Sequence, residues 1–113
     1  MNITINAISP TQAVVQVEGR LDAETADSFK VKAKEVAATG VKYVTVDIGK
    51  LTFIDSSGLS AIVSTLKLLR QNSGSLNLAC VGPQANTALR LTMLDKVLSK
   101  FDTVDEATKS LVS

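Results

Sequence analysis

The segment of this sequence with the most reactive side chains is Ile54-Asp55-Ser56-Ser57-Gly58-Leu59, where two hydroxyls follow a carboxylate. A strand-like apolar run ends there and a helix is expected to begin, so local physics favours helix capping. Ser56 or Ser57 can accept a hydrogen bond from a first-turn N–H, and the Asp55 carboxylate is favourable near the positive end of the helix dipole. Gly58 permits a close approach of the backbone to its surroundings.

A serine beside a carboxylate could also act as a nucleophile, but the rest of the sequence offers it no general base. The chain has no His and no Gly-x-Ser-x-Gly motif, which excludes a Ser-His-Asp triad and a nucleophile elbow. Lys50, Lys67 and Lys96 could act as a base in principle, but isolated lysines on helices or turns are usually solvated surface charges. We therefore expect no catalytic residue and no enzymatic activity.

The composition excludes several further classes of function. A length of 113 residues fits one domain, expected over residues 1–113, and 45% hydrophobic with 20% charged residues is typical of a folded protein. The balance of 12 basic against 11 acidic residues, without a basic tract, argues against direct nucleic-acid binding. The glycines are scattered and form no nucleotide-binding motif, and a single Cys without His does not suggest a metal site. We therefore expect no bound nucleotide, no metal and no other cofactor. Without a signal peptide or a long apolar run, we expect no membrane segment and a cytoplasmic location.

The first half of the sequence predicts two strands, a helix and a third strand. Alternating apolar residues indicate strands over residues 3–7 and 13–17, which are expected to pair as a hairpin or to lie as near neighbours. A helix is predicted from Asp22, as N-cap, to about Thr39, with Gly40 as the C′ residue. Residues 43–48 form the next predicted strand, followed by a turn at 49–50 and a short apolar stretch to Ile54.

The second half predicts helices alternating with short strands. Apolar residues at helical spacing predict a helix over residues 57–72. The next predicted strand, residues 76–81, includes Cys80 as a small buried residue. Pro83 fits the first turn of a third helix, whose predicted apolar residues are Ala88, Leu91, Met93 and Leu94. A short strand over residues 97–101 and a last helix, capped by Asp102 or Thr103, complete the chain.

Strands that alternate with helices predict an α/β domain with right-handed crossovers between parallel strands. The first hairpin adds antiparallel pairing, so we expect a mixed, mainly parallel β-sheet packed by about four α-helices. If the parallel strands add in one direction, the crossovers place the main helices on one face and leave the other less covered. The strand order does not follow from the sequence pattern.

The run Phe53–Leu59 follows the strand Val44–Ile48 and precedes an apolar helix, and in this position it resembles the signature of STAS domains in anti-sigma-factor antagonists. The similarity extends over nearly the whole chain. It includes Glu18–Asp22 before the first helix and Val81-Gly82-Pro83 after the next strand. The resemblance implies a single STAS-like α/β domain from a bacterium that acts in transcription regulation through protein-protein interaction.

The resemblance also implies a mechanism of partner switching. In such antagonists the hydroxyl directly after the signature Asp is phosphorylated by a cognate anti-sigma factor that is also a serine kinase, and by position this is Ser56. The unmodified antagonist binds the anti-sigma factor and releases the sigma factor, whereas the phosphoprotein cannot until a PP2C-type phosphatase restores it. Asp22 matches a position of the same partner surface. The predicted partner-binding residues are Asp22, Asp55, Ser56, Ser57, Gly58, Ser60 and Ser64.

The same resemblance leaves a second role open. STAS domains also occur as accessory subunits of lipid-transport complexes and as scaffold components of stressosome-like assemblies, where a matching serine need not be phosphorylated. This alternative is a binding module that uses the same surface without reversible phosphorylation. In both cases we expect a monomer or a weak dimer.

Overall fold

The computed structural model describes residues 1–112, so the domain predicted over residues 1–113 is described to residue 112 and Ser113 lies outside the described residues. Five strands and four α-helices follow one another along the chain. Their bounds are β1 (Asn2–Ser9), β2 (Gln12–Leu21), α1 (Ala26–Ala38), β3 (Tyr43–Ile54), α2 (Ser56–Gln71), β4 (Ser75–Ala79), α3 (Pro83–Leu91), β5 (Lys100–Phe101) and α4 (Val104–Val112), with a 3-10 turn at Leu94–Lys96 between α3 and β5.

The five strands form one sheet in the order β1-β2-β3-β4-β5. β1 pairs antiparallel with β2, and every later pair is parallel. The predicted fold, a mixed and mainly parallel sheet with four helices, is therefore confirmed. The strands add in one direction from β2 to β5, and α1, α2 and α3 provide the crossover connections.

Helices lie on both faces of this sheet because side chains alternate along each strand. Leu76 and Leu78 of β4 belong to the core that includes α2. Asn77, between them, points the other way, and its amide donates a 2.8 Å hydrogen bond to the Ala107 carbonyl of α4. The carboxamide of Gln12 makes a similar 2.8 Å bond to the Thr108 carbonyl. These buried polar bonds hold α4 on the second face, which the crossover helices leave open.

β3 is a single strand, so the predicted turn at residues 49–50 is wrong. Pairing with β2 continues through this region, with Lys50 opposite Glu18, but its register shifts on either side. The Asp47 carboxylate accepts a 3.0 Å hydrogen bond from the Gly49 N–H, which satisfies a backbone donor at the irregularity. The glycine that suggested a turn therefore marks an irregularity within a long strand.

Helix α1 begins at Ala26, and the prediction of Asp22 as its N-cap is wrong. Asp22 lies in a turn between β2 and α1, where its carboxylate accepts a 3.0 Å hydrogen bond from the Glu24 N–H. Thr25 is the N-cap residue by position. Gly40 follows the C-cap residue Thr39 with φ of +100°, as expected for a C′ glycine.

The predicted apolar face of the third helix is only partly correct. Ala85 and Leu89, four residues apart, are the buried residues of α3, whereas Leu91 is 80% and Met93 60% exposed. The helix ends at Leu91, and Met93 adopts a φ of +60°, so neither side chain continues the buried stripe. Leu91 and Met93 are therefore surface residues.

Near the end of the chain, two boundaries differ from the sequence prediction and the predicted cap of the last helix is confirmed. Strand β4 ends at Ala79, so Cys80 lies outside it; the thiol-bearing residue is half-buried with φ of +60° and is not a core residue. The last strand is only Lys100–Phe101, shorter than predicted. Thr103 caps α4, as expected, because its hydroxyl accepts a 3.1 Å hydrogen bond from the Glu106 N–H.

Candidate functional site

The N-terminus of α2 is capped by Asp55, so the prediction that Ser56 or Ser57 provides the cap is wrong. Asp55 has extended backbone geometry, and its Oδ1 accepts a 3.1 Å hydrogen bond from the Gly58 N–H. Its carbonyl accepts from the Leu59 N–H at 3.0 Å and so begins the helical ladder. A carboxylate reaches the third N–H of the helix from the N-cap position and also complements the dipole. The two serines follow as the first residues of the helix.

Because Asp55 caps α2, the Ser56 hydroxyl is not needed for capping the helix. Ser56 is exposed and Ser57 is half-buried at the start of α2. Among residues 1–112, neither hydroxyl takes part in a hydrogen bond with another protein group. Because Asp55 already satisfies the first-turn donor, the Ser56 oxygen is available to solvent or to a second molecule.

Gly58 holds the start of α2 tightly against the end of β2. A Cβ at this position would lie 2.3 Å from the Leu21 carbonyl oxygen and 2.9 Å from the Cγ1 of Ile54. The same Leu21 carbonyl accepts a 3.3 Å hydrogen bond from the Asp55 N–H. Close approach, and not a positive φ, is therefore the reason for a glycine here. Gly58 is buried, so it shapes the surface without being exposed on it.

Gln84 of α3 is a site residue that the sequence analysis missed. Its carboxamide accepts a 2.9 Å hydrogen bond from the Ile54 N–H and donates a 2.8 Å bond to the Ile54 carbonyl. β4 pairs with β3 only over Tyr43–Asp47, so the end of β3 has no strand beside it there. Gln84 takes the place of that strand and fixes the last residue before Asp55. An exposed polar residue on a helix gives no sequence signal for this role.

Asp22 lies beside this site because β2 and β3 are parallel and Leu21 pairs with Ile54. The Asp22 carboxylate lies 3.3 Å from the Arg20 Nε, and the Arg20 guanidinium stacks 4.4 Å from the centroid of the Phe53 ring. Burial opposes ionisation of Asp22, but the Glu24 N–H and the Arg20 guanidinium outweigh it. The pKa of the Asp22 carboxyl therefore lies below its ordinary value of 3.8. Asp22 is an anion at neutral pH.

The exposed side of α2 continues the site beyond Ser56. Ser60 and Ser64 follow Ser56 at intervals of four residues, and all three are exposed. Such spacing places them on one face of the helix. The Ser64 hydroxyl donates a 2.9 Å hydrogen bond to the Ser60 carbonyl, and Ser64 also lines a shallow cleft with Lys30 and Lys34 of α1. Small side chains along this face leave room for another protein to approach the helix closely.

A groove of about 400 Å³ runs along the other side of Ser56. It separates the α2 N-terminus from α3, and its apolar walls include Phe53, Ala88 and Leu91. Gln84 lies in the same groove, below the backbone of Ile54. Ser56 is thus flanked by an apolar groove on one side and by small polar residues on the other.

The predicted site residues therefore fall into two groups. Asp22, Asp55, Ser56 and Ser57 lie at the carboxyl ends of β2 and β3 and the start of α2, and Ser60 and Ser64 extend from them along one helix face. Gly58 lies beneath this surface.

In residues 1–112, no group of three or more His, Cys, Asp or Glu side chains could hold a metal ion. None of the helices described here is long and apolar enough to cross a membrane.

Comparison with protein families gives one match that covers most of the chain. The model of the STAS domain family matches residues 3–107. An anti-sigma F factor antagonist of Paenibacillus polymyxa is 28% identical over 90 residues, which cover 79% of this chain and 77% of that protein.

Solved structures show the same fold. The crystal structure of an anti-sigma factor antagonist from Mycobacterium paratuberculosis superposes with a TM-score of 0.88 at 24% identity, covering 99% of this chain and 94% of that one. The anti-sigma factor antagonist SpoIIAA in its unphosphorylated form gives a TM-score of 0.82 at 18% identity, covering 99% and 100%. Its phosphorylated form, from Bacillus, gives 0.74 at 18% identity, covering 96% and 98%.

Proposed function

The chain belongs to the STAS domain family, and on this premise we propose that it is an anti-sigma-factor antagonist controlled by phosphorylation of Ser56. The relatives named above are antagonists of other regulatory proteins, so the expectation of a binding protein and not an enzyme is confirmed. The proposed partner is an anti-sigma factor that is also a serine kinase. Binding of the unmodified chain in the cytoplasm releases the sigma factor, and a PP2C-type phosphatase reverses the modification.

One observation carries the proposal: the Ser56 hydroxyl is exposed and unbonded at the first position of α2, because Asp55 provides the cap. A phosphoacceptor must enter the active site of a kinase without unfolding its own domain. A serine that capped the helix would have to give up a hydrogen bond worth about 1 kcal/mol before it reacted. Ser56 has no such bond to lose.

The partner surface in this proposal centres on Ser56 and extends along the exposed face of α2. Ser57, Ser60 and Ser64 offer short side chains, over which a partner can approach the helix closely. Asp22 and Asp55 contribute the negative charges at the strand ends. A few residues in the centre of such an interface should dominate the binding energy. Gly58 contributes by holding α2 in place.

Phosphorylation of Ser56 is expected to act on the interface and to leave the fold intact. The phosphate adds about −1.5 to −2 charge at neutral pH. Within the domain, the first-turn N–H groups and the dipole favour an anion, while the adjacent Asp55 carboxylate opposes it. These effects largely offset each other. Across an interface formed around a neutral hydroxyl, the same group adds bulk and must lose its hydration, which costs several kcal/mol.

Binding measurements with charge variants test this proposal. We expect Ser56→Asp to fold normally but to bind the anti-sigma partner roughly a hundredfold more weakly, since about 1.4 kcal/mol corresponds to a factor of ten. Ser56→Ala should bind with an affinity close to that of the unmodified chain. Ser110→Asp is the matched control, because it adds the same charge at an exposed position on α4, on the other face of the sheet, and its affinity should stay close to that of the unmodified chain. Equal affinities for Ser56→Asp and the unmodified chain would contradict the proposed switch.

The identity of the partner is tested by affinity capture from the native cell. We expect a kinase-like anti-sigma factor together with its phosphatase. Capture of a lipid-transport complex, or of a large scaffold assembly without such a kinase, would contradict the proposal and favour a binding module that works without reversible phosphorylation.

A further inference from the structure

β1 is an edge strand whose outer side is unpaired. It lies at one end of the sheet order and pairs with β2. No other strand in residues 1–112 pairs with it. A free strand edge presents a row of N–H and C=O groups that can pair with another chain. The sequence of an edge strand therefore indicates whether such pairing is prevented or permitted.

The two edges of this sheet differ in the way they are protected. β5, at one end, has only the two residues Lys100–Phe101 and carries a positive charge. β1, at the other end, has the eight residues NITINAIS, with no charged residue and no Pro. Shortness and charge are the usual means by which natural proteins block edge pairing. β5 has both and β1 has neither, so β1 is the edge that permits pairing.

Exposed apolar side chains accompany this open edge. Ile5 lies opposite Val15 on β2, yet Val15 is 5% exposed and Ile5 is 41% exposed. Ile3 packs against the core, so Ile5 is the β1 residue of this face that would gain most from a further neighbour. A register irregularity between Ala7 and Ser9 ends the regular part of the strand, which leaves Asn2–Ala7 available for pairing.

We propose that β1 pairs with β1 of a second copy of this chain, antiparallel about a two-fold axis that places Ile5 opposite Ile5. In antiparallel pairing, directly opposed residues lie on the same face of the sheet. The register centred on Ile5 therefore places Ile3 opposite Ala7 and Thr4 opposite Asn6, each residue facing one of similar polarity. Both exposed Ile5 side chains become buried against each other.

The charge of the chain supports a second copy as the occupant of this edge. Two-fold pairing brings each strand against itself, so any charged residue would meet a like charge across the axis or close to it. β1 contains none. The net charge of the whole chain is only +1 at pH 7, so long-range repulsion between copies is small.

The expected dimer is weak. Pairing over about five residues of one strand from each chain buries less surface than the roughly 1,200 Å² at which stable specific interfaces begin. We expect a dissociation constant on the order of 10⁻⁴ M, much weaker than that of a stable complex. Dimers then form at high local concentration.

Sedimentation velocity of the full chain over a concentration series tests the association. The weight-average mass should rise from 11.9 kDa toward twice that value as the concentration increases. Ile5→Lys should weaken dimerisation at least tenfold, because it places two positive charges opposite each other. Met93→Lys is the matched control, since Met93 is also exposed and lies in the connection from α3 to β5. A constant 11.9 kDa up to about millimolar concentration, or equal dimerisation by both variants, would overturn the proposal.

Cysteine cross-linking tests the register without depending on a destabilising charge. In a Cys80→Ser background, Ile5→Cys should form a disulfide-linked dimer on oxidation, since opposed Cα atoms lie about 4.5–5.5 Å apart. Thr4→Cys should not, because the two-fold places its Cα atoms about 8 Å apart, beyond the range of a disulfide. Equal cross-linking of both variants, of neither, or of Thr4→Cys alone would contradict the proposed pairing.

Discussion

Replacement of Gly58 by Ala should destabilise the domain although alanine is the better helix former. The added Cβ would lie 2.3 Å from the Leu21 carbonyl oxygen, and ordinary contacts begin at 3.4 Å. The start of α2 must therefore retreat by about 1 Å, in a region where interiors are close-packed. That movement also stretches the 3.3 Å bond from the Asp55 N–H to Leu21. The backbone carbonyl cannot move aside as a flexible side chain would.

The size of this effect follows from two opposing contributions. Inserting a methyl group into a tightly packed contact costs about 1–3 kcal/mol. Against this cost, Ala has the higher helix propensity, which stabilises a helix by up to about 1 kcal/mol relative to Gly, and by less in the first turn. We therefore expect a net loss of about 1–2 kcal/mol for Gly58→Ala, and a larger loss for Gly58→Val, whose side chain is bulkier.

Urea denaturation measures this loss directly. With a slope of about 2 kcal/mol per molar urea, typical of a small domain, the midpoint for Gly58→Ala should fall by roughly 0.5–1 M. Gly82→Ala is the matched control, because a Cβ at Gly82 meets no atom within 4 Å. Its midpoint should change little. An unchanged midpoint for Gly58→Ala beside an unchanged control would refute the argument that close approach to Leu21 requires a glycine.

Three further predictions concern the residues that support Ser56 and the single thiol. Asp55→Ala should cost about 1 kcal/mol of unfolding free energy through loss of the α2 cap, whereas Asp55→Asn keeps an acceptor and should cost less; equal losses in urea denaturation would contradict the capping role. Gln84→Leu removes both hydrogen bonds to the Ile54 backbone and should speed hydrogen exchange of the Ile54 amide. Thr87→Ala, elsewhere on α3, should leave that rate unchanged. An unchanged rate in both variants would contradict the role of Gln84 in holding the end of β3. Burial, followed by a nearby carboxylate, raises the pKa of the Cys80 thiol above its ordinary value of 9.0, so alkylation at pH 8 should be slower in the folded chain than in urea, and equal rates would contradict it. Because the folded-state pKa is the higher one, the stabilisation from the neutral thiol is complete below its unfolded pKa and is lost as the pH rises through the folded pKa.

The sequence was sufficient to predict the fold class and the order of elements, because strand and helix periodicities differ clearly in most segments. It failed where a local signal has two structural meanings. Gly49 marks an irregularity inside β3 and not a turn, since continued pairing with β2 outweighs the local preference of glycine. Leu91 is an apolar residue of a type that usually lies in the core. It is nevertheless exposed, because it is the last residue of α3 and follows the last buried residue of that helix.

The site shows the same limit at the level of hydrogen bonds. The segment Asp55–Gly58 was correctly predicted as the start of a helix, but the capping group was assigned to the serines and belongs to Asp55. The choice depends on a one-residue difference in where the helix begins, which periodicity does not resolve. Gln84 could not be predicted at all, because its role depends on α3 lying beside the end of β3 in three dimensions.

Mapping the phosphorylated residue tests the central claim most directly. The chain is incubated with its cognate anti-sigma kinase and ATP, and the modified residue is identified by mass spectrometry, with Ser56→Ala and Ser57→Ala treated in parallel. We expect one phosphate on Ser56 in the unmodified sequence and in Ser57→Ala, and none in Ser56→Ala. Phosphate on Ser57 or another residue with Ser56 unmodified, or full labelling of Ser56→Ala, would contradict the account.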